Sequence, residues 1–143
     1  MWSVGVSAQF LEIYINLGKQ YNLPVFLNKE FTESVSLTEE ECNFDAVLLA
    51  DVLHIGNYTA FEQNKLKSYY ETALDNVVTG FNVLLIHPAF DDDEMKGITI
   101  NHPNFGSQWR QIDFDYFTSE VCRFKIKENK IQLITWDQIR NSR

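Results

Sequence analysis

The chain has 143 residues, 45% hydrophobic and 22% charged, the proportions of one soluble domain with room for an ordinary core. Its net charge of −8 repels phosphate backbones and anionic lipid heads, which argues against nucleic acid and membrane surfaces as partners. No apolar run approaches the roughly 20 residues that span a bilayer, and no basic stretch followed by an apolar one opens the chain, so the expected location is the cytoplasm. Cys42 and Cys122 lie far apart and outside any C-x-x-C pair, so they read as two separate thiols of a reducing compartment.

Residues 8–21 predict a helix, with Phe10, Leu11, Tyr14 and Leu17 at helical spacing and Ser7 as its N-cap. Pro24 ends it and opens a short strand, residues 24–27. Residues 28–45 are polar and acidic, and Thr38 with Glu41 has the spacing of a capping box. Residues 46–50 read as a buried strand that could continue to Ile55. A helix follows over 60–78, with Phe61, Leu66, Tyr69, Tyr70 and Leu74 toward the core and Gly80 as its terminator. The unbroken apolar run at 81–86 suggests a parallel strand covered on both faces. A long loop over 88–108 leads to helical patterning at 109–128, a last strand at 131–134 and a short final helix from Trp136. Strands separated by helices imply a parallel α/β sheet in one domain, residues 1–143.

In such sheets ligands bind beyond the C-terminal ends of the strands. Asn28, Asp51, His87 and Trp136 hold those positions. His87 is the sharpest: it follows an apolar strand, precedes a stiffening proline, and carries a group that titrates near neutral pH. A catalytic imidazole and a structural one bonded to a loop carbonyl both remain open. Asp91, Asp92, Asp93 and Glu94 either hold a hard cation or, the commoner arrangement, start a helical turn. His54 and His102 lack partners at metal-ligand spacing. Arg110 and Asp113 stand three apart, so they either pair on a helix surface or reach the strand ends. Trp109 and Trp136 offer faces on which a sugar ring could stack, although core packing is the commoner role of such residues.

The stretch LLIHPAFDDDEMKGITINHPNFGSQWRQIDFDYFTSEVCRFKIKENKIQLITWDQIR, residues 84–140, resembles the C-terminal end of the YdjC/ChbG-like carbohydrate deacetylases. The shared features are the apolar strand ending in Ile86-His87-Pro88, the acidic loop from Asp91 to Glu94, Trp109-Arg110 followed by Asp113, Thr118-Ser119 at a helix start, and the run from Ile131 to Ile134. Residues 10–27 resemble the family less specifically. The resemblance implies a partial, distorted β/α (TIM-like) barrel with parallel strands, whose N-terminal half is missing. It implies metal-assisted hydrolysis of N-acetyl groups on amino sugars or oligosaccharides, with Mg or Zn in the full-length enzyme. The ligands, an early Asp and two His, the second within a His-x-Asp-Ser-His-like motif, would precede Met1, so this chain is expected to hold no cofactor and to be inactive alone. His87 would act as general acid or steady the transition state, with Arg110 and Asp113 behind it and a carbohydrate as partner. A non-catalytic sugar-binding or protein-interaction remnant is the alternative. A receiver-like signalling domain, with Asp51 as phosphoacceptor, lacks the early acidic pair and a late strand-terminal lysine. A half-barrel leaves strand edges unpaired, so homo-oligomerisation through residues 24–27 is expected.

Overall fold

Leu11, Ile15 and Gly18 recur at helical spacing and form the buried row of α1 (Ala8–Tyr21). Phe10 and Leu17, expected in the core, lie on the opposite side and are about half exposed. Tyr14 is half-buried, and its hydroxyl accepts a hydrogen bond from the Phe26 amide. The helix ends at Asn22, whose left-handed backbone returns its N–H to the carbonyls of Gly18 and Lys19. The chain then turns into β1 (Val25–Asn28). Gly18 is where helix and strand come closest. A Cβ there would collide with Val25 Cγ1 and lie 3.1 Å from the Leu23 carbonyl oxygen. The strand pairs in parallel with β2 (Val47–Ala50), in register from Val25–Val47 to Asn28–Ala50. Val25, Phe26, Leu27 and Ala50 are buried.

The computed structural model describes residues 7–28, 47–102 and 104–141. The capping-box spacing at Thr38 and Glu41, and Cys42, lie outside the described residues. The architecture is mixed α/β, mostly helical, with a short parallel sheet. The described residues fall into two compact units. One is drawn from Met1–Leu53, Gly80–Asn82 and Leu133–Arg143, the other from His54–Thr79 and Val83–Gln132.

In the first unit Asp51 and Phe81 bond reciprocally. The Asp51 amide donates to the Phe81 carbonyl at 2.8 Å, and the Phe81 amide donates to Asp51 Oδ2 at 2.8 Å. Gly80, with φ of 124°, permits the turn, because a side chain there would run into the Asp51 carboxylate. The carboxylate proposed as a phosphoacceptor is therefore engaged with the backbone. The strand expected to run on to Ile55 is interrupted at Asp51, and β3 (Val52–Ile55) pairs with β4 (Asn82–Leu85) in a separate two-stranded sheet. β4 is only half-buried along its length, not covered on both faces as its apolar run suggested.

The second unit holds the aromatic core. The helix expected over 60–78 is two helices, α2 (Tyr58–Glu62) and α3 (Leu66–Asp75). The Asn57 side chain caps the first by accepting from the Ala60 amide, and Asn64, with φ of 56°, breaks the run before the second. The pattern at 109–128 likewise divides into α5 (Ser107–Phe117) and α6 (Glu120–Glu128). Ser119 caps α6 by accepting from the Cys122 amide, as the Thr-Ser pair suggested. Between the pairs lies α4 (Asp93–Ile98), inside what reads as a loop. Leu66, Tyr70, Leu74, Trp109, Tyr116 and Cys122 form the buried cluster. Lys125 joins α6 to α3 through both oxygens of Asp75, at 2.8 and 2.7 Å.

The strand expected at 131–134 is not formed. Lys130 turns left-handed, with φ of 53°, and Ile131 folds back over the end of α6, its amide on the Ile126 carbonyl and its side chain against the core. That cap uses the apolar residue the strand would have needed, and Leu133 is left 71% exposed. A final helix, α7 (Trp136–Asn141), follows in the first unit and buries Ile139.

Candidate functional site

His87 stands two residues beyond β4, and Asp113 reaches it from α5. The His87 amide donates to Asp113 Oδ2 at 2.8 Å. Asp113 is completely buried, and its other oxygen accepts the Tyr70 hydroxyl in a short hydrogen bond. Trp109 Nε1 donates to the Tyr70 oxygen at 3.1 Å. Two further bonds tie the His87 loop to α5: the Ala89 amide donates to the Arg110 carbonyl at 3.2 Å, and the Asp91 amide to Gln111 Oε1 at 2.9 Å. A buried carboxylate is tolerated here because each of its oxygens receives a donor.

Arg110 does not form the surface ion pair with Asp113 that their spacing allowed. Its Nε donates to the Phe105 carbonyl at 2.7 Å and fixes a residue whose φ is 59°. The Phe105 ring then lies against the His87 imidazole, with centroids 4.5 Å apart. The structure thus brings His87, Arg110 and Asp113 together, with Phe105 and Asp113 as the contacts through which the neighbours act on His87. Burial is the main cause that lowers the His87 pKa, and the Arg110 charge lowers it further, while Asp113 opposes both. Burial raises the Asp113 carboxyl, and its hydrogen bonds with Tyr70 and the His87 amide hold part of that rise back. His87 Nδ1 is buried and bonds to nothing among the described residues.

Trp109, expected as a sugar contact, is 1% exposed. Phe61 stacks on it at 5.2 Å and Phe105 packs at 4.7 Å, so its faces belong to the core. Trp136, in the other unit, is 52% exposed. Asn28 ends β1 and Asp51 follows β2, both also in that unit. A cavity of about 400 Å3 opens in the second unit beside Phe61, with Lys96, Thr99, Asn101, His102 and Gln108 among its walls. His54 sits in β3, its Nε2 buried without a partner among the described residues.

The acidic run takes the helical-turn arrangement. Asp92 caps α4 by accepting from the Met95 amide at 2.9 Å, and Asp93 and Glu94 occupy its first turn. Among the described residues no group of three or more His, Cys, Asp or Glu is placed to hold a metal ion. Cys122 is a buried free thiol. No described helix is long and apolar enough to cross a membrane. Tyr70 and Phe105 were not singled out as functional from the sequence. The signal for Tyr70 was available, because a tyrosine on the core face of a helix must find a partner for its hydroxyl.

The strand-end histidine, its buried carboxylate and the helix that carries Trp-Arg sit in a mixed α/β protein, and comparison with known families places it further. The family described as YdjC-like protein matches residues 3–128, and the chain belongs to it. That membership points to a carbohydrate-deacetylase-related function. No curated protein matches the chain.

Proposed function

We propose that the chain carries the His87 side of a carbohydrate deacetylase centre, which hydrolyses N-acetyl groups of amino sugars or oligosaccharides. Family membership supports the reaction class. The observation that carries the reading is His87 itself, an imidazole at a strand end whose amide is anchored on Asp113 and whose Nδ1 has no partner among the described residues. Cleaving an acetamide requires a proton to leave the attacking water and another to reach the departing nitrogen. An imidazole held below its ordinary pKa of 6.5 is unprotonated at neutral pH, so it accepts first and then donates to the amine. Arg110 and Asp113 place the ring without touching the sugar. The cavity beside Phe61 supplies an aromatic wall and several hydrogen-bonding side chains, which suits a hydroxylated ring. Trp136, in the other unit, is half exposed and could separately meet a sugar, as the buried Trp109 could not. The partial β/α barrel belongs to the same reading, supported by the parallel β1–β2 pair.

The family's Mg or Zn would polarise the acetyl carbonyl and activate water. The described residues do not fit such an ion: Asp113 has both oxygens engaged, and no three ligands converge. The ion's ligands would come from outside the described residues. The test is titration of the chain with N,N′-diacetylchitobiose, followed by NMR, with acetate assayed in the presence of zinc, magnesium or cobalt. Expected are shifts at His87 and His102 without acetate release. Shifts nowhere, and no acetate, would rule out the sugar reading. Acetate release that His87→Ala abolishes would establish the deacetylase and overturn inactivity. Binding unaffected by His87→Ala favours the alternative of a non-catalytic sugar-binding protein.

Self-association, expected through residues 24–27, is proposed through α1 instead, because Val25, Phe26 and Leu27 are buried. Phe10, Ile13, Leu17 and Tyr21 form an exposed row along α1, each about half exposed, and burying such a row in a second copy removes apolar surface from water. Light scattering on the eluting chain is expected to give twice the monomer mass, and Leu17→Glu to halve it. A monomer at micromolar concentration would remove the oligomer from the proposal.

A further inference from the structure

We propose that Tyr70 is a positioning residue for His87: its hydroxyl, oriented by Trp109, fixes the Asp113 carboxylate that holds the His87 amide. The direction of each bond follows from the groups. An indole N–H only donates, so the Tyr70 oxygen must accept from Trp109 at 3.1 Å. The single phenol proton is then free for Asp113 Oδ1. The His87 amide also only donates, so Asp113 Oδ2 must accept from it. These three donors therefore find acceptors together only while Asp113 is ionised. Protonating the carboxyl sets a hydrogen against either the His87 amide or the Tyr70 hydroxyl. The chain of bonds runs from α5 through α3 and back to α5, and ends at the backbone of the residue that the proposed reaction uses.

Packing makes this arrangement rigid. Tyr70 is fully buried, and its ring contacts Tyr116 at 5.7 Å and Phe117 at 4.9 Å between centroids. The ring cannot swing away from Asp113 without displacing both. Phenylalanine fills the same space, so Tyr70→Phe removes the O–H and leaves the packing. Tyr70 touches no reacting atom. Its effect passes through Asp113 to the turn at His87-Pro88, which sets where the imidazole stands. That His87 serves a reaction rests on the proposed function, whereas its placement by Tyr70 does not.

The experiment compares wild type with Tyr70→Phe by NMR on the whole chain. Losing a donor to the carboxylate is expected to raise the Asp113 midpoint by about one unit and to speed His87 amide exchange about tenfold, the scale of one charge-assisted hydrogen bond. Amides of Leu74 and Cys122 should exchange within about twofold of wild type, because packing is retained. An unchanged Asp113 midpoint with unchanged His87 exchange overturns the proposal. So does a rise shared equally by the core amides, which would mean Tyr70 is only structural. Wild type gives an independent measurement should Tyr70→Phe not fold. A slowly exchanging Tyr70 hydroxyl resonance, with an NOE to the Trp109 indole proton, is expected to vanish as Asp113 takes up its proton. Its absence at neutral pH overturns the assignment. None of these readouts needs sugar or acetate, so failure here and failure of the deacetylase reading are separate results.

Discussion

Asp113→Ala is expected to lose about 4 kcal/mol of stability, because it leaves one buried and one part-buried donor unpaired and opens a small void. Both donors are named: the Tyr70 hydroxyl and the His87 amide, each now facing one carboxylate oxygen. The Tyr70 hydroxyl cannot turn to water, since Tyr70 is fully buried, and the His87 amide, only part-buried, loses its carboxylate partner. In a chain of this size each kcal/mol moves the melting midpoint by about 3 °C, so a fall of roughly 12 °C is expected by calorimetry. Asp113→Asn is the more informative partner. Its amide oxygen can serve one donor, but its NH2 must face the other, so about 2–3 kcal/mol should be lost without any void. The pH dependence has a definite sign. Burial raises the folded-state carboxyl above its unfolded value of about 3.9, so the folded chain takes up this proton first as pH falls. That titration adds stability on acidification, because relieving the buried charge outweighs the hydrogen bond that the new proton displaces, and the addition is complete below the unfolded value. Asparagine lacks it, so the gap between wild type and Asp113→Asn should widen from pH 7 toward pH 4. Urea melts at a series of pH values measure the gap. A gap that narrows would mean the carboxylate is better stabilised folded than unfolded.

The hydrophobic periods located most of the elements, and their interruptions were carried by polar residues that a hydrophobic reading passes over. Leu66, Tyr70 and Leu74 were placed on the core face and are buried there. The breaks at Asn64 and at Thr118-Ser119 depend on left-handed backbone and side-chain caps, which leave the apolar spacing almost unchanged. The same reason explains Ile131: four residues read equally well as a strand or as an apolar cap on α6, and only the turn at Lys130 decides. In α1 the choice of face was half right: Leu11 is buried and Tyr14 half-buried, but Phe10 and Leu17, which suit the core as well as Ile15 does, are exposed. Gly18 was the overlooked cue, because a glycine in a helix marks the side that another backbone approaches. His87, Arg110 and Asp113 were grouped through the family resemblance, since spacing alone left Arg110 and Asp113 as readily a surface pair. Their actual bonds were not legible, because the partner that organises them, Tyr70, lies 43 residues from Asp113. Spacing can bring Arg110 and Asp113 to one helix, but it cannot show that one is buried and the other is bonded to a loop carbonyl.

Gly56→Ala is expected to cost about 3 kcal/mol, at the upper end of what overpacking a core does. The glycine follows β3 and lies against the edge of the Trp109 indole. An added methyl would overlap Trp109 Cζ2, would lie 3.1 Å from Cε2, and would lie 3.2 Å from the Tyr70 oxygen. Relief by moving the indole is blocked, because Phe61 stacks on it and Phe105 packs beside it. Relief by moving the Gly56 backbone would carry Ile55 with it, and the Ile55 carbonyl accepts the Tyr69 hydroxyl. The indole is also the donor that orients Tyr70, so a displacement of a few tenths of an ångström stretches the Trp109–Tyr70 bond and loosens Asp113. Stability and site geometry should therefore fail together. Gly56→Ala is expected to lower the melting midpoint by roughly 9 °C and to speed His87 amide exchange beyond the general rise that lost stability alone produces. Trp109→Phe removes part of the obstructing ring, so in that background the added methyl should cost about 1 kcal/mol or less, a coupling that a double-mutant cycle measures directly. Additive losses in the cycle would show that the methyl is accommodated elsewhere and that the indole does not set the position of β3.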